Sequence, residues 1–306
     1  FQIRAWELKA TPTTCPGCAT GCAVELHTKH EQAYRLVPRV DPDVNGHWMC
    51  DDGRLTYKQT DPEGRVLHAR VDGEDVPLGH AIATAARRLR NRTRKIAVVF
   101  SATATTESNQ ALADLAELLE AERFIVGRPA WQGDDILRDS DANPNMRGAL
   151  TAAGIARHEG ELALELAGRA YEAVVFLDGT FEVSEVVRTS LESLPSICLA
   201  DRWSPLAECC TVVLPSVSWA ESLGSYVNRQ GRLRVVQPAW RPEGDRRERA
   251  DLLRELVLAL GEKELPTSRE RSRALAEEHD HDELRALSTD PEAARPTLLR
   301  FTHTRG

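Results

Sequence analysis

Three cysteines fall inside eight positions of "TTCPGCATGCAVELH" (residues 13–27), and a fourth follows in "HWMCDDGR". The spacing is Cys15-x2-Cys18-x3-Cys22-x27-Cys50. Three clustered thiolates and one distant one can surround a compact polyhedral cofactor if the intervening chain folds back. Small residues, Gly17, Ala19, Thr20, Gly21 and Ala23, allow close backbone approach and aim N–H groups at anionic sulfur, while Pro16 stiffens the loop. Zinc usually takes two two-cysteine knuckles, or two Cys and two His. A three-plus-one arrangement fits that badly, with His27, His30 and His47 as substitute ligands or, more plainly, exposed polar side chains. A dithiol redox site should follow a strand in a βαβ unit, and none precedes Cys15. A [4Fe–4S] cube held by Cys15, Cys18, Cys22 and Cys50 is the favoured reading.

The surroundings must position those thiols. The chain has 306 residues, 42% hydrophobic and 28% charged, which suits one or two soluble domains. No apolar run approaches the ~20 residues of a membrane span, and no secretory signal is readable; the chain starts at Phe1 rather than Met. A net charge of −8 argues against nucleic acid as a partner. The runs "ARRLRNRTRK" (86–95) and "RPEGDRRER" (241–249) read as solvated faces. Seven cysteines, four of them before residue 51, suit a reducing compartment with one dedicated site.

Beyond residue 62 the pattern becomes layered. "GRVLHARVDGEDVPLG" predicts a hairpin turning near Asp72-Gly73, and "GHAIATAARRLRN" (79–91) a helix. "KIAVVFS" (95–101) predicts a buried strand, then a helix capped by Thr105, Thr106 or Ser108. Further strands are expected in 123–127, 171–179, 195–200 and 209–215. Strands alternating with helices predict a mostly parallel, Rossmann-like α/β sheet, with ligand-site candidates at the strand-end loops Ser101–Glu107, Asp178–Phe181 and Asp201–Pro205. None carries a glycine-rich nucleotide motif. Cys198, Cys209 and Cys210 read as small core hydrophobes, with a strained disulfide or soft-metal site as the alternative.

Several stretches carry a family resemblance. "RAWELKATPTTCPGCATGCAVELH" and "RLVPRVDPDVNGHWMCDDGR" resemble the [4Fe–4S] segment of molybdopterin oxidoreductases and, most closely, of the large iron–sulfur subunit of respiratory complex I in its bacterial form, with its diaphorase-like relatives. "SATATTESN" (101–109), "DANPNMRGA" (141–149) and residues 209–261, with the turn "NRQGR", are similar to later parts of that superfamily. The resemblance implies a cluster-binding domain over 1–62, a molybdopterin-oxidoreductase-like α/β domain over 63–262 and a charged tail over 263–306, helical or flexible. It implies an electron-transfer subunit of an NADH:quinone oxidoreductase or related diaphorase with no catalytic centre of its own. Its expected partners are flavin/NADH-binding and iron–sulfur subunits, and its expected place is the cytoplasmic face of the membrane, reached through those partners and not by insertion. Alternatives are a molybdopterin-dependent, formate-dehydrogenase-like subunit, or a non-redox scaffold with a structural cluster. Catalytic members commonly carry a Lys two residues after the fourth cysteine. Here that position is Asp52, a carboxylate that would repel pterin phosphates, so molybdopterin is not expected. Trp48 is expected to shield the cluster together with Val24 and Leu26, and Arg54 and Lys58 are expected either to tune it or to be surface charges.

Overall fold

The computed structural model describes residues 3–90, 95–134, 136–290 and the backbone of 297–298. A small lobe comes first. Strands β1 (Lys9–Thr14), β2 (Ala23–Lys29) and β3 (Gln32–Pro38) form an antiparallel meander. The β1–β2 connection is the cysteine loop itself, closed by the Cys15 N–H donating to the Cys22 carbonyl at 2.9 Å. A short helix α1 (Asp51–Leu55) follows, capped at its start by the Cys50 side chain. Val24 and Leu26 are fully buried in the same apolar cluster as Cys15, Cys22 and Met49.

The second layer opens with the expected hairpin, β4 (Ala69–Val71) and β5 (Glu74–Val76), turning through Asp72 and Gly73 at φ 50° and 88°. Helix α2 (Leu78–Leu89) leads towards β6 (Ile96–Ser101), a strand buried along its whole length. Helix α3 (Thr106–Leu118) takes Thr105 as its N-cap, because that hydroxyl accepts the Ser108 N–H. Then come β7 (Glu122–Val126), α4 (Met146–Ala153), β8 (Arg157–His158), α5 (Glu159–Ala167), β9 (Ala173–Phe176), α6 (Glu185–Ser193), β10 (Ser196–Ala200), α7 (Pro205–Cys209) and β11 (Val212–Pro215).

These strands make one sheet in the order β5-β4-β11-β10-β9-β6-β7-β8, parallel from β11 to β8. Counting from β6, the parallel part runs 3-2-1-4-5-6, the doubly wound order of dinucleotide-binding folds. Alternation along β6 builds both sides of the core. Ile96, Val98 and Phe100 pack with α2, α3 and α8 (Arg249–Leu260), while Ala97 and Val99 pack with α5, α6 and α7.

A hairpin of β12 (Gly224–Val227) and β13 (Leu233–Val236) projects from this layer towards the lobe. Helices α9 (Ser268–Glu278) and α10 (Asp282–Thr289) bury Leu275, Ala276, Leu284 and Leu287 against Leu223, Leu233 and Val235 of the hairpin region. The charged tail, expected to be helical or flexible, thus carries two packed helices. Most of its charges face outward, Arg271 being buried against Asp114, and its apolar positions are spaced for a helix stripe. Strand β14 (Thr297–Leu298) pairs with β1, while residues 291–296 and 299–306, expected to be flexible, lie outside the described residues.

The first basic run keeps its reading as a solvated face where it is described, with Arg87 and Arg90 exposed, and the second needs revision. Asn91–Arg94 of the first lie outside the described residues, and Arg88 of that run pairs with Asp72. In the second, Arg246 is fully buried in a bidentate pair with Glu221, and buried Arg249 faces Asp178 and Asp201. A guanidinium goes inside only with carboxylate partners, and those partners come from distant loops.

Candidate metal centre

Cys15, Cys18, Cys22 and Cys50 line a single cavity, together with Gly17, Gly53 and Trp131. The first three are 4–5% exposed, and Cys50 is half-buried. Gly53 shows why glycine stands there: a Cβ would come 3.3 Å from the sulfurs of both Cys15 and Cys50. Those two sulfurs are therefore no farther apart than twice that distance. The Gly53 N–H points at the Cys50 Sγ, 3.3 Å away.

Electrostatics separates this pocket from an ordinary core. Burial and the neighbouring Cys22 push the Cys15 thiol well up, and burial with Cys18 and Cys50 pushes Cys22 up to about 12. Cys50 is raised chiefly by burial, with Asp52 and Asp134 adding to it. Burial and mutual repulsion thus disfavour thiolates at Cys15, Cys22 and Cys50 unless a cation supplies the countercharge. Among the described residues, no set of three or more His, Cys, Asp or Glu side chains has the arrangement of a single-ion metal site. Sulfurs spread around a cavity, with glycines facing them, suit a multi-iron core better than one zinc ion.

The α/β layer holds the cysteine loop by its backbone. Ala19 donates to the Asp141 carbonyl and accepts from the Arg229 N–H, at 2.9 and 2.7 Å. Thr20 donates its hydroxyl to the Leu137 carbonyl and accepts from the Asn228 side chain. Arg128 reaches the Pro16 carbonyl, and Arg234 bonds the Gly21 carbonyl while pairing with Asp41. The "NRQGR" turn is thus a clamp. Asn228 Oδ1 accepts from the N–H groups of Gln230 and Arg232, which shapes the turn, while its amide reaches the cysteine loop.

Sequence reasoning missed Trp131, Arg138, Asn228 and Arg234 as parts of this site. "NRQGR" carried a signal in its turn residues, but nothing near Trp131 did. Trp48 is a correction: it is 67% exposed, because Met49, the next residue, takes the inward position against the cysteines. Arg54 pairs with Asp51 and Lys58 is exposed, and neither lines the cavity. His27 is buried between Arg35 and Glu25, His30 and His47 lie at the surface, and none of the three reaches the cysteines. Cys198, Cys209 and Cys210 are buried within the sheet core, the last two at the end of α7 rather than in a strand.

The other candidate place is the switch point of the sheet, between β6 and β9. There the Ser101 and Thr103 hydroxyls donate to Asp178 Oδ2 at 3.3 and 2.5 Å, tying the two strand-end loops together. The Arg249 guanidinium is already answered by Asp178 and Asp201. Glu107 is fully buried and accepts from the Ser225 N–H and the Ser272 hydroxyl. Loops bridged in this way, with two carboxylates facing the arginine between them, do not fit a pterin carrying phosphates.

Comparison with known proteins finds a family likeness in both parts of the chain. The Fe4S4 domain of molybdopterin oxidoreductases matches residues 8–62, and the molybdopterin oxidoreductase domain matches residues 155–258. The G subunit of the NADH-quinone oxidoreductase of Pseudomonas fluorescens is 32% identical over 152 residues, 47% of this chain and 16% of the relative. Its counterpart numbered 3 in the NADH-quinone oxidoreductase of Thermus thermophilus is 28% identical over 141 residues, 42% of this chain and 17% of the relative. The alpha subunit of the NADPH-Fe(3+) oxidoreductase of Geobacter sulfurreducens is 33% identical over 90 residues, 29% and 10% of the two chains. The chain thus spans about a sixth of the length of the NADH-quinone oxidoreductase relatives it matches.

Proposed function

We infer, from the match of the Fe4S4 and molybdopterin oxidoreductase domains, that the chain is the iron–sulfur part of an electron-transferring oxidoreductase subunit of the molybdopterin oxidoreductase superfamily, with Cys15, Cys18, Cys22 and Cys50 as ligands of one [4Fe–4S] cluster. The observation that carries this reading is the convergence of a thiol from α1 with three from the β1–β2 loop on one cavity. When bound, such a cluster supplies one-electron transfer. The protein's own contribution is burial by Val24, Leu26 and Met49, an N–H from Gly53 towards Cys50, and the exclusion of water by Trp131.

The unit boundaries proposed are 1–62 for the cluster lobe, 63–262 for the α/β layer and 263–306 for the tail. The α/β layer then acts as a scaffold with no catalytic centre of its own, a role supported by its bridged switch-point loops. By likeness to the NADH-quinone oxidoreductase relatives, the expected assembly is an NADH:quinone oxidoreductase or diaphorase with flavin- and iron–sulfur-bearing partners. Among the described residues no helix is long and apolar enough to cross a membrane, so attachment on the inner face through those partners is the proposed route.

Metal analysis of anaerobically prepared protein tests the reading. About four irons and four acid-labile sulfides per chain are expected, with a low-temperature EPR signal on reduction. Cys18→Ser is expected to lose most of the iron. One zinc and no colour, or molybdenum with a pterin, would replace this reading with one of its rivals.

A further inference from the structure

We propose that Arg138 is a positioning residue that holds Trp131 over the four thiols and so sets how readily solvent reaches them. This rests on the reading of those thiols as a cluster site. Trp131 lines the cysteine cavity, and one edge of it is fixed: its indole N–H donates to the Asp139 carbonyl at 2.6 Å and its backbone N–H to the Ser140 carbonyl at 3.0 Å. The Arg138 guanidinium lies 4.9 Å from the centre of the ring. That same guanidinium pairs with Asp52, on α1 just past Cys50, and donates to the Gln132 carbonyl. The Arg138 backbone N–H is held by Asp134 at 2.7 Å.

An exposed ion pair alone would fix little. Here a planar cation, an aromatic face and a carboxylate on the ligand-bearing helix agree on one orientation, which lysine could not reproduce. The location matters as well. Cys50 is the least buried of the four thiols, and it opens with Asp52 and Arg138 onto an adjoining surface cleft. Arg138 therefore stands where water, chelators and oxygen would enter.

Two readouts test this. In iron-loaded protein, the rate of iron release to bathophenanthroline is measured anaerobically. In metal-free protein, the rate of iodoacetamide alkylation is followed at each cysteine by peptide mass spectrometry. Arg138→Ala and Trp131→Ala are expected to speed both severalfold, and Asp52→Asn to do so by less, since the stack survives. Arg138→Lys is expected to rescue only partly. Cys198, Cys209 and Cys210 should stay protected throughout, reporting an intact core. Should Arg138→Ala open those as well, it has unfolded, and Asp52→Asn carries the test. Wild-type rates at the four thiols in the folded variants would overturn the proposal. Iron-free wild-type protein would sink the cluster reading, while the alkylation rates would still decide the shielding claim.

Discussion

Gly21 carries a constraint that its neighbours in the cysteine loop do not. Its φ is +66°, and a Cβ would stand 2.9 Å from the Asn228 Cβ. Gly21→Ala is therefore expected to cost at least the ~1–2 kcal/mol of a left-handed backbone, plus the displacement of the clamp. Urea unfolding of the metal-free protein measures the first part, and a lowered iron yield reads the second. At this scale the convergence of the four thiols on one cavity was legible in their type and spacing. Trp48 was misread because nearness in sequence to Cys50 says nothing about direction: Met49 takes the inward position and Trp48 faces out. Trp131 was illegible because it reaches the cavity from far along the chain beyond Cys50, through contacts that no local pattern encodes.

Strands β6, β7, β9, β10 and β11 could be read from the sequence, since each lies in an apolar run, whereas β8, Arg157–His158, carries no such run. The order of the strands could not be read, because it depends on which crossovers pack together. The tail was the harder case. A stripe of Leu275, Ala276, Leu284 and Leu287 in a strongly charged segment looks like a surface helix until a partner is known, and that partner is the apolar side of the β12–β13 hairpin. Helix α9 also ends its first turn in a capping box, Thr267 with Glu270, which fixes its entry beside the buried Glu107. Leu275→Ala is expected to lose about 2–5 kcal/mol in thermal or urea unfolding. A loss no greater than that of an exposed α9 substitution would mean the two helices are not part of the fold's core.

Across the whole molecule, burial of acid groups makes stability depend on pH. Burial raises Glu107 to about 7 and Glu248 to about 8, against an ordinary 4.5. Through these two groups the folded chain holds more protons than the unfolded one, so their contribution to stability falls as pH rises from about 4.5 to about 8, while His27, lowered chiefly by burial, acts in the opposite sense. Glu107 alone accounts for about 3 kcal/mol of that fall. Unfolding curves across this range should show the decline, and Glu107→Gln should flatten its lower part. An unchanged slope in that variant would contradict the assignment. The two carboxylates hold consecutive parts of one segment, Ser222 to Ser225, so both act on the stretch that leads into the β12–β13 clamp. That clamp has a consequence for biogenesis. Its turn secures the backbone of the cysteine loop from some two hundred residues farther along the chain. On the proposed cluster reading, iron loading is therefore expected to come late, favouring chains whose remote scaffold is already assembled.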